Sequence, residues 1–231
     1  MESCQDGLSL VILEHSLTND HISFANDIHQ KMKSWCLSEL SLDHLAQSQP
    51  EFTPETTLTK AVLINSLYGT NVWDIVRVSE YIRGLLTPGT LADADIELVE
   101  RMAHVPAGAR GKKPKRLYSF SAKFAHFFIT NDKFPILDSI AEKMIKWHLG
   151  RKAMIYNDGK RYITFVSNFN RLRESIDDSF TLRELDRYLW FAGQYYRWLR
   201  NPEVKLNVEL REYFETHSTR LGDIYGDKIT P

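Results

Sequence analysis

Apolar residues recur along most of this chain at three- and four-residue intervals, while alternating apolar and polar runs are few and short, so the pattern predicts helices nearly throughout. Between Ile22 and Leu45, the residues Phe24, Ile28, Met32, Trp35 and Leu40 stand three to five positions apart, which predicts one amphipathic helix or two. The polar stretch from Gln47 to Glu51 then gives way to Thr53-Pro54-Glu55, a helix opening with proline where no amide donor is needed. Ala61, Val62, Leu63, Ile64 and Leu67 carry that helix to a break at Tyr68-Gly69-Thr70-Asn71, and Val72 to Ile82 reads as the next helix.

Gly84 and Pro88-Gly89 mark a loop, Thr90 is placed to cap a helix through Met102, and Pro106 to Pro114 is expected to lack regular structure. Ser119 to Ile129 predicts a short Phe-rich helix. In Lys133-Phe134-Pro135-Ile136-Leu137 the proline forces its predecessor out of the α region, giving an extended connector. Ser139-Ile140-Ala141-Glu142 then reads as a capping box for a helix ending near Gly150. A short hairpin about Asn157-Asp158-Gly159 precedes helices from Tyr162 to Ser175 and, opened by Thr181-Leu182-Arg183-Glu184, to Leu199. The expected architecture is all-α, a single globular unit over residues 1–231 with two helical lobes about a cleft and at most a minor hairpin. Residues from about 53 to 150 would carry the site, and the terminal helices would complete the second lobe.

Composition narrows this picture only a little. At 231 residues the chain can bury a full core without a metal or disulfide staple. Its 29 basic and 30 acidic residues leave a net charge of -1, so any nucleic-acid surface has to be a local patch. Cys4 and Cys36 have neither CxxC spacing nor a companion histidine cluster, which argues against a zinc or iron–sulfur centre. The opening Met1 to Asp6 lacks the basic and apolar regions of a signal peptide, and no apolar run approaches the length of a membrane span. A cytoplasmic protein without a membrane or cofactor requirement, monomeric by default, is the expectation.

Candidate chemistry is concentrated between Gly108 and Glu142. Arg110, Lys112, Lys113, Lys115 and Arg116 crowd one loop, where basic side chains can neutralise phosphates without regard to sequence; a solvated basic turn is the plainer alternative. Lys123 is expected in the first turn of the Ser119 to Ile129 helix, among Phe120, Phe124 and Phe127. A helix start and an aromatic surround both disfavour an ammonium and favour the nucleophilic amine, although a lysine between apolar neighbours ordinarily reaches for water. His126 follows at i+3 and shares that face, as a packed side chain or a catalytic one. Asp138 is delivered by the connector to a helix start, where the dipole favours a carboxylate; its rival role is plain capping. Tyr188, Trp190, Tyr195, Tyr196 and Trp198 make the late helix aromatic enough for base stacking, or for core between lobes, with Arg197 and Arg200 at the rim.

Two of these segments, Ser121-Ala122-Lys123-Phe124-Ala125 and Phe134-Pro135-Ile136-Leu137-Asp138-Ser139, resemble the lysine segment and the aspartate turn of the helix-hairpin-helix DNA glycosylase superfamily. Upstream, Leu63 to Asn71 is similar to the helix end that presents polar residues beside the extruded base in 8-oxoguanine glycosylases. The likeness covers roughly a third of the chain, from about Lys60 to His148 with gaps. It departs from the family in lacking a Leu-Pro-Gly-Val-Gly type of turn before the lysine, where the basic loop stands instead, and in carrying Ile136-Leu137 where one residue is customary.

The resemblance implies a glycosylase, with or without lyase activity, that extrudes a damaged or modified base in DNA repair or in defence against modified phage DNA. Lys123 would attack the sugar C1′ and Asp138 would help activate it and stabilise an oxocarbenium-like transition state; with an inert Lys123, Asp138 and a water would hydrolyse the bond. Asn65, Tyr68, Asn71, Trp73 and Phe120 are the expected base pocket, Asn71 foremost, with Ser121 joining the basic loop on the DNA. Two other readings stay open: a non-catalytic DNA-binding protein, and a helical protein-interaction module.

Overall fold

The helices begin where a side chain can take up their first free amides. The computed structural model describes residues 13–107, 114–156, 160–176 and 180–226. Thr18 caps α1 (Asn19–Lys31) by accepting from the His21 amide, and α2 (Lys33–Ser48) follows after a one-residue break at Met32. Thr53 caps α3 (Pro54–Leu67), with Pro54 at the first helical position as expected. Next come α4 (Ile75–Leu85), the short α5 (Pro88–Ala92) and α6 (Ile96–Ala103). The single helix expected from Thr90 is therefore two, because Thr87 caps the first and Asp95 caps the second.

The chain then forms a two-residue strand β1 (His104–Val105), paired antiparallel with β2 (Lys115–Arg116), and enters α7 (Tyr118–Phe128). The small hairpin thus brackets the basic loop; Arg110, Lys112 and Lys113, like the turn expected at Asn157-Asp158-Gly159, lie outside the described residues. Asp138, not Ser139, caps α8 (Ser139–Leu149), and Glu142 turns to Arg161 instead of closing a box. Gly150, at φ 88°, ends that helix. The remainder is α9 (Arg161–Arg173), α10 (Leu182–Arg200), opened by the Thr181–Glu184 capping box, and α11 (Val208–Tyr225), which the periodicity did not reveal.

The fold is all-α. Two groups of helices pack separately: α3, α4, α6 and α7 against one another, and α1, α8, α10 and α11 about α10. Between them, α2 touches α1, α3 and α7, while α9 touches α6 and α8. The aromatic side of α10, with Tyr188, Phe191, Tyr195 and Tyr196, is fully buried, so most of the late aromatic stripe is core. Gly193 lets α10 and α8 approach closely: a Cβ there would collide with the Ile140 side chain and stand 3.1 Å from Met144 Cγ. Among the described residues no helix is long and apolar enough to cross a membrane.

Candidate active site

Every residue of α7 except Ser119 is buried, so this helix is core on all sides and its single lysine must find partners inside. Lys123 lies in the second turn, not the first, because the helix already begins at Tyr118. Its Nζ donates to Ser119 Oγ at 2.8 Å and to Asp138 Oδ2 at 3.3 Å, and lies 5.4 Å from the centre of the Tyr68 ring. Asp138 divides its oxygens between two tasks: Oδ1 accepts the Ile140 and Ala141 amides at 2.9 Å each, and Oδ2 faces the lysine. The two residues chosen from the sequence as catalytic are thus neighbours.

The connector that delivers Asp138 is held at three successive residues by buried side chains from three helices. His126 Nδ1 donates to the Phe134 carbonyl at 2.9 Å, Tyr162 Oη donates to the Pro135 carbonyl at 2.9 Å, and the Ile136 amide donates to both oxygens of Asp186 at 3.1 Å. Proline supplies no amide here, so these bonds take the place of secondary structure.

Two cavities meet at the Lys123–Asp138 pair, and Tyr68 also belongs to both walls. The first, about 330 Å³, is bounded by the aromatic rings of Trp35, Tyr68 and Trp190 and by the polar side chains of Glu39, Arg183, Asp186, Arg187 and Gln194. The Trp35 and Trp190 rings lie 4.5 Å apart. The second, about 420 Å³, is bounded by Thr70, Arg116, Ser119, Ser139 and Arg161. Arg161 is anchored by Glu142, 2.7 Å from its Nη2, a bond that raises the guanidinium further above its ordinary range.

The first cavity holds charge in opposed states. Burial alone would raise the Glu39 carboxyl, but the approach of His29 Nε2 to 3.4 Å, the hydrogen bond from Arg187 and the charges of Arg187 and Arg183 hold it well below the usual range. Its Oε2 lies 2.7 Å from Arg187 Nη2 and 3.0 Å from Arg183 Nη2. Asp186 goes the other way: burial pushes its carboxyl well up, against the Ile136 amide and the charge of Lys123 and with help from the charge of Asp138. Burial also lowers His126 to about 4, so its imidazole is neutral at physiological pH.

Of the five residues expected to form the base pocket, the structure places only Tyr68 in the cavity wall. Asn65 is occupied in holding a turn: its Nδ2 donates to the Val72 carbonyl at 3.1 Å, and its Oδ1 accepts the Val72 amide at 2.8 Å and the Thr70 hydroxyl at 2.9 Å. Asn71 sits on that turn with φ 55° and an exposed side chain, and Trp73, just beyond, is 91% exposed. Phe120 is core, stacked on Phe124, and Ser121 is fully buried with its hydroxyl unpartnered, so neither presents itself to DNA. Arg116 reaches the second cavity, and Lys115 beside it is half-buried on β2.

The residues missed are polar ones of α10. Arg183, Arg187 and Gln194, with Asp186 beside them, face the first cavity together with Trp190, which the aromatic stripe already offers for stacking. That polar stripe was readable beneath the aromatic one. Among the described residues no group of three or more His, Cys, Asp and Glu side chains is arranged to hold a metal ion.

The chain is 30% identical over 147 residues to an uncharacterized protein of Haemophilus influenzae, an alignment spanning 61% of this chain and 67% of that protein. No solved structure matches it. Residues 18–133 match the N-terminal domain named HI_0787_N, so Lys123 lies within the matched segment and Asp138 just past its end. With about half of its length in that match, the chain belongs to the HI_0787_N family.

Proposed function

We propose that the protein is a DNA glycosylase with an associated lyase activity, a divergent member of the helix-hairpin-helix superfamily. What supports this most is the position of the Lys123–Asp138 pair, 3.3 Å apart at the common wall of an aromatic cavity and a basic one. An N-glycosidic bond needs this arrangement: a base on one side, a phosphate on the other and the sugar carbon between.

In this mechanism a nucleotide swings out of the duplex and its base enters the cavity walled by Trp35, Tyr68 and Trp190. The flanking phosphate lies against Arg116 and Arg161. Lys123 attacks C1′ as Asp138, 3.3 Å from its Nζ, takes up the ammonium proton; the bond from C1′ to the base breaks with its electron pair on the base, and the C1′–O4′ bond then opens. The resulting Schiff base permits β-elimination and strand cleavage. Trp73, on the turn next to the second cavity, is free to stack on the bases left behind. The protein would act as a cytoplasmic monomer without a cofactor, on damaged bases in repair or on modified bases of phage DNA.

Borohydride trapping on a duplex with an abasic site tests the proposal. A covalent protein–DNA adduct is expected from the native chain and none from Lys123→Ala. Absence of an adduct with the native chain removes the lyase, and absence of base release from a panel of damaged and viral DNAs removes the glycosylase.

A further inference from the structure

Resting on the glycosylase reading, we propose that Asp186 is the general acid that protonates the departing base. A base leaving as an anion is a poor leaving group, and a carboxyl proton delivered to it in the transition state lowers that barrier. Such an acid has to line the base cavity, carry a proton before reaction and lack a fixed cation. Asp186 meets all three conditions.

The other candidates in that wall are excluded by what they already touch. Glu39 is held as a carboxylate between Arg183 and Arg187. Asp138 is engaged by two helix amides and by Lys123. His126 commits its Nδ1 proton to the Phe134 carbonyl, which leaves Nε2 a buried lone pair with no partner and no proton to give. Asp186 forms no ion pair with a lysine or arginine among the described residues; its nearest basic neighbour is His126 Nδ1, at 3.8 Å from Oδ2. Its side chain is 5% exposed, and burial with the negative charges of Asp138 and Glu39 raises the carboxyl well above its ordinary range, against the Ile136 amide and the charge of Lys123.

The step balances. The C1′–N bond breaks with its electron pair on the base, the Asp186 O–H proton passes to a ring nitrogen or carbonyl oxygen of that base, and Lys123 Nζ, its ammonium proton handed to Asp138, forms the new C1′–N bond with the freed lone pair. The secondary ammonium so created loses its proton to water, and Asp186 is reprotonated from solvent before the next turnover. Neutral base leaves, and no other reagent is required.

Asp186→Asn keeps an oxygen to accept the Ile136 amide and removes the proton. The test compares native and variant on two kinds of duplex. One carries an abasic site, where no base departs. The others carry 8-oxoguanine, uracil, 5-hydroxymethylcytosine or N7-methylguanine, the last already cationic and able to leave unprotonated. The variant is expected to trap the abasic duplex as the native chain does, to release the neutral bases about 100-fold more slowly, and to release N7-methylguanine with little change. Native rates on the neutral bases, or a parallel fall in trapping, overturn the assignment of Asp186, the second showing a role in holding the connector alone. A native protein that releases none of the four bases also overturns it; one that in addition leaves the abasic duplex untrapped takes the glycosylase reading down with it.

Discussion

Lys123 Nζ and Asp138 Oδ2 are 3.3 Å apart across fifteen residues of chain, and two different helices hold them there. We expect Asp138→Asn to keep the α8 cap, since asparagine caps as well as aspartate, and to lose about 1–2 kcal/mol of stability through the buried Lys123, left without its carboxylate. Base release should fall by about 100-fold or more, because the carboxylate that takes up the lysine proton is gone. Single-turnover excision alongside calorimetry separates the two effects; a stability loss that matches the activity loss would reduce Asp138 to its capping role.

Arg116 is exposed at the second cavity, on β2. If it lies on a phosphate, Arg116→Ala should lower the slope of log affinity against log salt by about 0.9 while leaving sequence preference alone. Fluorescence anisotropy over a salt series measures it, and an unchanged slope denies the contact.

Asn65 and Trp73 were both expected at the base, and the structure separates them. Asn65→Ala should cost about 1–3 kcal/mol, since it leaves the Val72 amide and the Thr70 hydroxyl without their partner. Trp73→Ala should alter stability by no more than about 0.5 kcal/mol. Its loss of stacking should instead weaken duplex binding roughly tenfold. Urea melts and binding titrations on the two variants check both halves, and reversed outcomes would restore the sequence-based assignment of Asn65.

Gly193 sits where α10 meets the start of α8. Gly193→Ala should destabilise the protein by about 1–3 kcal/mol through overpacking and displace the first turn of α8, which Asp138 caps. Excision should therefore fall more than the melting temperature alone would suggest. A variant as stable and active as the native chain would show that Ile140 yields freely.

His148 is fully buried, its Nδ1 donating to the His15 carbonyl at 2.8 Å and its Nε2 accepting from the Tyr188 hydroxyl at 2.9 Å. Burial lowers it from 6.5 to about 4. Between these values the unfolded chain binds the extra proton, so stability falls with pH across this window, by roughly 3 kcal/mol in all. The difference in urea midpoint between the native chain and His148→Gln should therefore shrink as the pH drops from 6.5 to 4. A constant difference would contradict the neutral imidazole.

Local chemistry was the legible part of this chain. Thr53-Pro54, Thr181 to Glu184 and the proline connector each act through near neighbours, and the structure agrees with them. The place of Asp138 at the start of α8 was legible for the same reason, whereas its closeness to Lys123 comes from the packing of α7 and α8. Phe120 and Ser121 were misread because a helix buried on every side has no face that periodicity can assign, and Asn65 because its amide closes the turn just after its own helix. On α10 the aromatic residues masked a second stripe, in which Arg183 and Arg187 meet Glu39 of α2 and Asp186 meets the Ile136 amide.

Because one oxygen of Asp138 is spent on the first amides of α8, the other has a single direction in which to point. The helix works as a vice that selects one rotamer, and a longer glutamate could not satisfy both grips at once. Retaining a negative charge at this position would then be insufficient, and reach as well as sign becomes part of the requirement.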